Sequence, residues 1–529
     1  MPQGDRARDF ADTAFSHFPL RMTNSIAPSS QKLGTRATLG AGLLIASRLV
    51  TRGIDLVTLV ALGRLLSPAD FGLVAIAMSV MLIAEAVMEL PVGLALTSMP
   101  RRLNEHYDTA FTLQLIRSGI LVAVLVVLSI PLSMIYNDQR VGWLLCALSV
   151  AAAARGMASP LIVEYALKLD YRPHLFLEIS SKLVALLVSV VSAWWSRSYW
   201  AIAAGMIANP VTGVAMTYFV APYLPTLTVS KWRDFSNYLR WSTATQAITS
   251  FNWQMDQLLL GKLISRVELG QFSMASNLSF MPSQIIVTQV TGPLVVAFAL
   301  VRDDAERMRA AYRKSAITIV SVALPISIGM SMLSAPMVKV VLGQRWLDAA
   351  PILEWLSVAM VPSLFVGPLP ALVISLHKIK PFARLALIEV CFKLPLMVLG
   401  AYYYRIDGVI SVRLATGLFM SFCSMMAVQE LIGTPVSKQL LAPWRPVACA
   451  SIMALVIRSS DKWLMNLYTL SDMALGLASV VMAGAVTYIG SMFLLWAISG
   501  YPEGIESKVA ALTTETWNKL TRPRSTFES

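Results

Sequence analysis

The sequence predicts an all-α polytopic membrane protein of about fourteen transmembrane helices: two six-helix lobes related as parallel repeats, followed by two C-terminal helices. Three observations predict it. Of 529 residues, 56% are hydrophobic and 14% charged, with a mean hydropathy of +0.64, whereas ordinary globular domains carry about 25% charged residues. Hydropathy rises and falls fourteen times, in stretches near the roughly 20 residues that cross a bilayer. A mixed polar and apolar motif then recurs 198 residues further on, which points to internal duplication.

Taken in order, residues 1–36 are polar and mixed in charge and lack an apolar core of signal-peptide length. They read as a disordered cytoplasmic tail, with Met22 as an alternative start. An N-lobe over 37–222 holds spans at 39–62, 71–97, 110–135, 141–164, 174–195 and 199–220. A cytoplasmic linker, 223–240, leads to a C-lobe over 241–435, with spans at 241–262, 270–298, 315–337, 349–375, 383–403 and 409–432. Within it, the charged segment 302–315 reads as a helical surface connector on the cytoplasmic interface. Residues 436–500 hold spans at 444–460 and 470–498, and 501–529 form a second cytoplasmic tail. Many spans contain proline, including Pro91, Pro131, Pro210, Pro293 and Pro395, and each removes a backbone hydrogen bond and favours a bend.

An even number of spans puts both termini on one side. Lysine and arginine concentrate in the tails and alternate loops, with clusters at Arg101 and Arg102, at Lys231, Arg233 and Arg240, at 307–314 and at 378–384. The positive-inside rule therefore places both termini in the cytoplasm. The net charge of +13 is accordingly topological and thinly spread, and nucleic acid is not an expected partner. Cys146, Cys391, Cys423 and Cys449 all fall in apolar stretches, so they read as buried thiols outside any disulfide framework.

The repeat is carried by two matches. GRLLSPADFGLVAIA, from Gly63 to Ala77, agrees in residue type at most positions with GKLISRVELGQFSMA, from Gly261 to Ala275. LEISSKL, from Leu177 to Leu183, agrees with IEVCFKL, from Ile388 to Leu394. Six spans separate the copies, so both have the same orientation, as in bundles related by an axis along the membrane normal around a central cavity.

No residues form a catalytic constellation. His17, His106, His174 and His377 lie in tails, loops or span ends without metal-ligand spacing, and no phosphate-binding loop motif occurs. No cofactor or metal is expected. The chemistry lies in charges within spans: Arg48, Arg52, Arg117, Arg155, Lys182, Lys393 and Arg413. A central charge costs about 2.5–3.5 kcal/mol on insertion scales, so such residues need a water-filled cavity or acidic partners. Arg48, Arg52 and Asp55 are spaced by four and then three residues and share one helix face. They suit either a cavity for an anionic head group such as a diphosphate or a structural salt-bridge network. Arg117 and Arg155 have no local acid on their own face and join the candidate anion-binding set. Glu178 with Lys182 and Glu389 with Lys393 are spaced for local i, i+4 pairs. Glu85, Glu89 and Asp256, the last sharing a face with Asn252, are candidates for ion coupling, with a packing role for Asp256 equally open.

The Gly63–Gly72 run, the DQLLLG stretch from Asp256 to Gly261 with Leu269 and Gly270, and the Pro282 and Pro293 pattern resemble polysaccharide transporters of the MOP flippase superfamily. The nearest likeness is to the Wzx-type and succinoglycan-export-type branches, over roughly residues 35–435. The resemblance implies two six-helix lobes plus two helices in a bacterial inner membrane. It also implies a flippase moving undecaprenyl-diphosphate-linked oligosaccharide to the outer leaflet for exopolysaccharide or lipopolysaccharide synthesis. It nominates Arg48, Arg52, Arg117 and Arg155 for the diphosphate, energy from an ion gradient, a monomer among membrane lipids, and polymerase or export machinery as further partners. A MATE-like drug exporter, a membrane glycan polymerase or acyltransferase, and a membrane scaffold are the competing readings. Excess positive charge opposes the first, and the lack of a long outer loop or a membrane histidine opposes the enzymes.

Overall fold

The computed structural model describes residues 30–500 apart from 91, 100–102, 169 and 466–468. The tail residues 1–29 and 501–529, the Arg101 and Arg102 cluster and Pro91 thus lie outside the described residues. Every regular element within them is helical. The first eight α-helices are α1 Ser30–Leu65, α2 Pro68–Val87, α3 Val92–Ser98, α4 Asn104–Ile135, α5 Gln139–Arg155, α6 Val163–Leu167, α7 Arg172–Ser196 and α8 Trp200–Val220. The next seven are α9 Trp232–Leu263, α10 Arg266–Ala299, α11 Ala305–Met332, α12 Ser334–Val341, α13 Ala349–Leu364, α14 Leu369–Ser375 and α15 Ile379–Ile432. α16 Val436–Leu441, α17 Trp444–Met465 and α18 Leu470–Ile498 complete the chain.

Among the described residues, nine helices are long and apolar enough to cross a membrane, or ten if α5 and the segment 160–167, bent by 58°, form one broken span. The fourteen hydropathy maxima exceed this number for two physical reasons. α1 carries Arg48, Arg52 and Asp55, α9 carries Asn252, Gln254, Asp256 and Gln257, and α17 carries Arg458, so their length is offset by polarity. The spans expected at 383–403 and 409–432 are both present as the two arms of α15, two helices meeting at a sharp break at Arg405, where φ is 50° and ψ −124°, and they count as one in that number. The two arms cross so closely at Gly400 and Gly408 that a Cβ on Gly408 would sit 2.0 Å from the Gly400 carbonyl oxygen.

The segment 302–315 is helical from Ala305 onward, as expected, but it is continuous with the span that follows it. Asp304 accepts 3.0 Å hydrogen bonds from the Glu306 and Arg307 amides, so the helix starts there. Its first turns bury Met308 and Tyr312, and it runs unbroken to Met332.

The two halves of the repeat meet at the crossing of α2 with α9 and α10. Ser67 and Ser265 begin α2 and α10 with the same capping box, Ser67 with Asp70 and Ser265 with Glu268. This lets both chains turn abruptly from the first span of a lobe into the second. Gly72 and Gly270, at matched places in the motif, then pack back to back. A Cβ on Gly72 would fall 2.0 Å from the Arg266 carbonyl oxygen, and one on Gly270 would fall 1.7 Å from that of Pro68. The largest apolar cluster is continuous across this crossing, from Ile76 and Leu144 to Leu260, Phe272 and Leu353.

The remaining helices follow the same plan. α1 packs on α7 in the first lobe, and α9 packs on α15 in the second. α17 and α18 pack on each other and against α11, through Cys449, Met453, Ile457 and Tyr488. At the opposite end, the segment between α8 and α9 is strapped to α4. Tyr223 and Thr226 hydroxyls donate to Asp108, and Phe235 is buried against Ala95, Leu96, Tyr107 and Ala110.

Candidate functional site

Among the described residues, three clusters of charge lie within the long helices. In the first lobe, α1 presents Arg48 and Arg52 on one face, with Asp55 a turn further along. Arg48 is exposed. Arg52 approaches Asp55 Oδ2 at 3.7 Å. Lys182 of α7 binds the other oxygen, Asp55 Oδ1. The side chains of Arg52, Asp55 and Lys182 stay 38%, 31% and 27% exposed.

The second lobe holds the counterpart. Asp256 of α9 takes Arg413 Nε on Oδ2 at 2.6 Å and Lys393 Nζ on Oδ1 at 3.0 Å. Arg413 also donates to Ser276 Oγ at 3.0 Å and lies over the Phe272 ring. Lys393 donates to the Asn252 carbonyl at 2.7 Å. Here Asp256 is fully buried, and the Lys393 and Arg413 side chains are 8% and 7% exposed.

Both lysines overturn the expectation of local pairs. The i, i+4 spacing puts Glu178 beside Lys182 and Glu389 beside Lys393, yet each lysine crosses to an aspartate on the first helix of its lobe. The cause is helix adjacency: α7 lies against α1 and α15 against α9, so a long lysine reaches a carboxylate across the helix contact instead of one on its own helix. A signal for this was present in the sequence. Lys182 and Lys393 are matched positions of the repeat, and each first span contains one aspartate.

The third cluster joins α2, α4 and α5. Arg155 pairs with Glu85, so the missing local acid comes from another helix. Arg117 donates to the Met88 carbonyl at 2.6 Å and the Glu85 carbonyl at 3.3 Å, capping the end of α2, and to Gln114 Oε1 at 3.3 Å. Glu89 lies just beyond that end. The structure thus brings Arg48 together with Arg52, and Arg117 with Arg155 and Glu85, on different helix pairs. Asp256 and Asn252 belong to the buried cluster of the second lobe.

At the end where α1 turns into α2, the lobes grip one another reciprocally. Arg64 donates to the Val341 carbonyl at 3.0 Å at the end of α12, and the matched Lys262 donates to the Ile135 carbonyl at the end of α4. Arg266 donates to the Tyr136 carbonyl at 3.0 Å, and Trp346 Nε1 to the Gly63 carbonyl at 2.7 Å. Asp138, in the α4–α5 turn, joins Arg140 and Arg266. Burial alone would raise its carboxyl, but hydrogen bonds from Arg140 and the charge of Arg266 hold it below the ordinary aspartate range.

Two cavities lie elsewhere. One of about 340 Å³ between α11, α12, α17 and α18 is lined by apolar side chains such as Met330, Met453 and Val481. Another of about 450 Å³ lies between the arms of α15, with Arg384 and Glu430 at its rim.

Two helical repeats crossed at a glycine pair, with basic side chains held inside each, define a two-lobed polytopic membrane protein. The chain belongs to the Polysaccharide biosynthesis protein family, which matches residues 61–351. It is similar to the lipopolysaccharide biosynthesis protein WzxC of Escherichia coli strain K12, with 22% identity over 418 residues, covering 77% of this chain and 84% of the relative. It is also similar to the succinoglycan biosynthesis transport protein ExoT of Rhizobium meliloti strain 1021, with 22% identity over 433 residues, covering 80% and 86%. Among solved structures, the lipid II flippase MurJ in an inward closed conformation aligns with a TM-score of 0.64 at 13% identity, covering 85% of this chain and 99% of that one. At that identity the likeness is one of fold.

Proposed function

We propose that this protein is a flippase. Its passenger is an oligosaccharide repeat unit linked to undecaprenyl diphosphate, moved from the cytoplasmic to the outer leaflet for exopolysaccharide or lipopolysaccharide synthesis. Two relatives are named for lipopolysaccharide biosynthesis and succinoglycan transport, and a solved structure of like fold is named a lipid II flippase. The job is transport, with no reaction catalysed. The observation that carries the reading is the open cluster of Arg48, Arg52 and Lys182, where more positive than negative charge lies within a helix pair of a membrane protein. Such a surface cannot face lipid and suits a diphosphate, which guanidinium groups bind through charge-assisted hydrogen bonds.

In this reading the lobes, 37–222 and 241–435, rock about the glycine crossing, with 436–500 as an appendage and both termini in the cytoplasm of a bacterial inner membrane. Arg48 and Arg52 bind the head group, and Arg117 and Arg155 support the cavity beside them. A cation gradient supplies energy, with Glu85 and Glu89 as the coupling carboxylates. Asp256 and Asn252, in place of the coupling role their polar stretch suggests, serve as the fixed anchor of Lys393 and Arg413. The protein acts as a monomer and hands its passenger to a polymerase or export complex.

Cells lacking the protein are expected to accumulate lipid-linked repeat units on the cytoplasmic leaflet. An unchanged transbilayer distribution of those units would sink the proposal. A MATE-like exporter of cationic drugs predicts instead a drug-sensitive deletion strain with normal glycan export.

A further inference from the structure

The two lobes carry the same ion pair in two states, and the difference assigns a role to residues outside the arginine set. In each lobe an aspartate on the first helix holds the matched lysine of the fifth span, Asp55 with Lys182 and Asp256 with Lys393, and an arginine completes the cluster. The second-lobe carboxylate is wholly buried, and its arginine is tied further to Ser276. The first-lobe carboxylate is 31% exposed, and its arginine stands at 3.7 Å, beyond a direct hydrogen bond.

We propose that Arg52 and Lys182 form a diphosphate clamp for which Asp55 is the resident counter-ion, displaced when the passenger's diphosphate arrives. Each oxygen of Asp55 holds one cation, so a cation from α1 and a cation from α7 already converge on a single two-oxygen anion. A diphosphate offers the same pair of acceptors with more negative charge, and Arg48, one turn earlier on the same face of α1, is placed to take a further oxygen. Because the cluster is partly exposed and charge of this kind does not face lipid, its ion pairs are weak and exchangeable, whereas the buried twin is sealed. Exchange also keeps the clamp partly neutralised when empty and ensures that a neutral lipid cannot displace the carboxylate. The inference rests on the flippase reading and adds to it Asp55 as an exchangeable counter-ion, with Lys182 and Arg52 as the pair it holds apart from the passenger.

The test is calorimetric titration of the purified full-length protein with farnesyl diphosphate and with inorganic diphosphate. Wild-type protein is expected to bind both. Asp55→Asn, which removes the competing anion, is expected to bind about tenfold more tightly, and Lys182→Gln at least about tenfold more weakly. Unchanged or weakened binding in D55N beside normal wild-type binding overturns the exchange and leaves the flippase reading standing. Wild-type protein that binds neither diphosphate overturns both. If D55N does not accumulate, the double variant D55N/K182Q decides against K182Q alone: a resident counter-ion predicts tighter binding in the double variant, because Arg52 is freed, and binding no tighter than K182Q overturns the exchange.

Discussion

Lys182 and Lys393 occupy matched positions in the two halves of the chain, and each reaches across to an aspartate on the first helix of its lobe. Around Asp256 the surroundings close completely, with an arginine at 2.6 Å, a serine on that arginine and a phenylalanine ring beneath it. Around Asp55 they stay open, and the neighbouring arginine stands off at 3.7 Å. One duplicated arrangement has thus been kept as a rivet in the second lobe and left as an accessible charged surface in the first. Burial makes the difference physical. An exposed ion pair contributes about 0–1 kcal/mol, whereas breaking a buried one by removing a partner costs about 3–5 kcal/mol because the orphaned charge stays in low dielectric.

The largest effect on stability is therefore expected from Asp256→Ala, which strands Lys393 and Arg413 together. The loss should be about 3–5 kcal/mol, visible as a lower melting temperature of the detergent-purified protein and less of it in the membrane. Asp55→Ala should melt within about 1 kcal/mol of wild type. Equal losses at both sites would erase the contrast. The converse expectation concerns transport. Arg48→Ala with Arg52→Ala should cut export at least about tenfold, the size of one lost charge-assisted contact or more, while the protein still reaches the membrane. Full export from that variant would move the passenger's head group to another part of the fold.

Arg117 separates two kinds of arginine that look alike in sequence. Its guanidinium is spent on the Met88 and Glu85 carbonyls at the end of α2, where no further helical turn supplies partners. Arg117→Ala should cost about 1 kcal/mol, the penalty for leaving partly buried acceptors unpaired. It should change diphosphate affinity less than Arg52→Ala does. A larger loss of affinity than stability would return Arg117 to the binding surface.

How far these roles were legible in the sequence depends on range. The glycines, serines and acidic residues of the two motifs are local signals. They anticipate the turns at Ser67 and Ser265 and the parallel repeat, although not that Gly72 and Gly270 would press against each other. The arginines of α1 stand out because lipid forbids them. Within one helix the i, i+4 rule chose Glu178 and Glu389 wrongly, and the cross-helix partners were marked only by the repeat, which matches the two lysines and puts one aspartate in each first span. Which carboxylate a lysine takes depends on which helix lies beside it, and hydropathy carries no information about that. Hydropathy also ran 302–332 as a connector and a span, because charge hides the continuity of α11 that the Asp304 cap and the buried Met308 and Tyr312 make plain.

The smallest expected effect tests whether the likeness of the lobes is structural or only ancestral. Ser67 and Ser265 each accept a hydrogen bond on the side chain from the amide three residues on, at 3.4 and 3.2 Å, and the amide of each donates to the carboxylate there, at 3.0 and 2.9 Å. Ser67 also donates its hydroxyl to Asp70 at 2.6 Å. An N-cap serine replaced by alanine costs about 1 kcal/mol, so Ser67→Ala and Ser265→Ala should lower stability by similar small amounts, with Ser67→Ala the greater. Ser67 and Ser265 lie on separate turns with separate partners, so the double variant should lose the sum. The two turns nevertheless flank one glycine crossing, through Pro68 against Gly270 and Arg266 against Gly72. A double loss well beyond the sum would show that the caps hold that crossing jointly, and the seam would then be a single cooperative element shared by the open lobe and the sealed one.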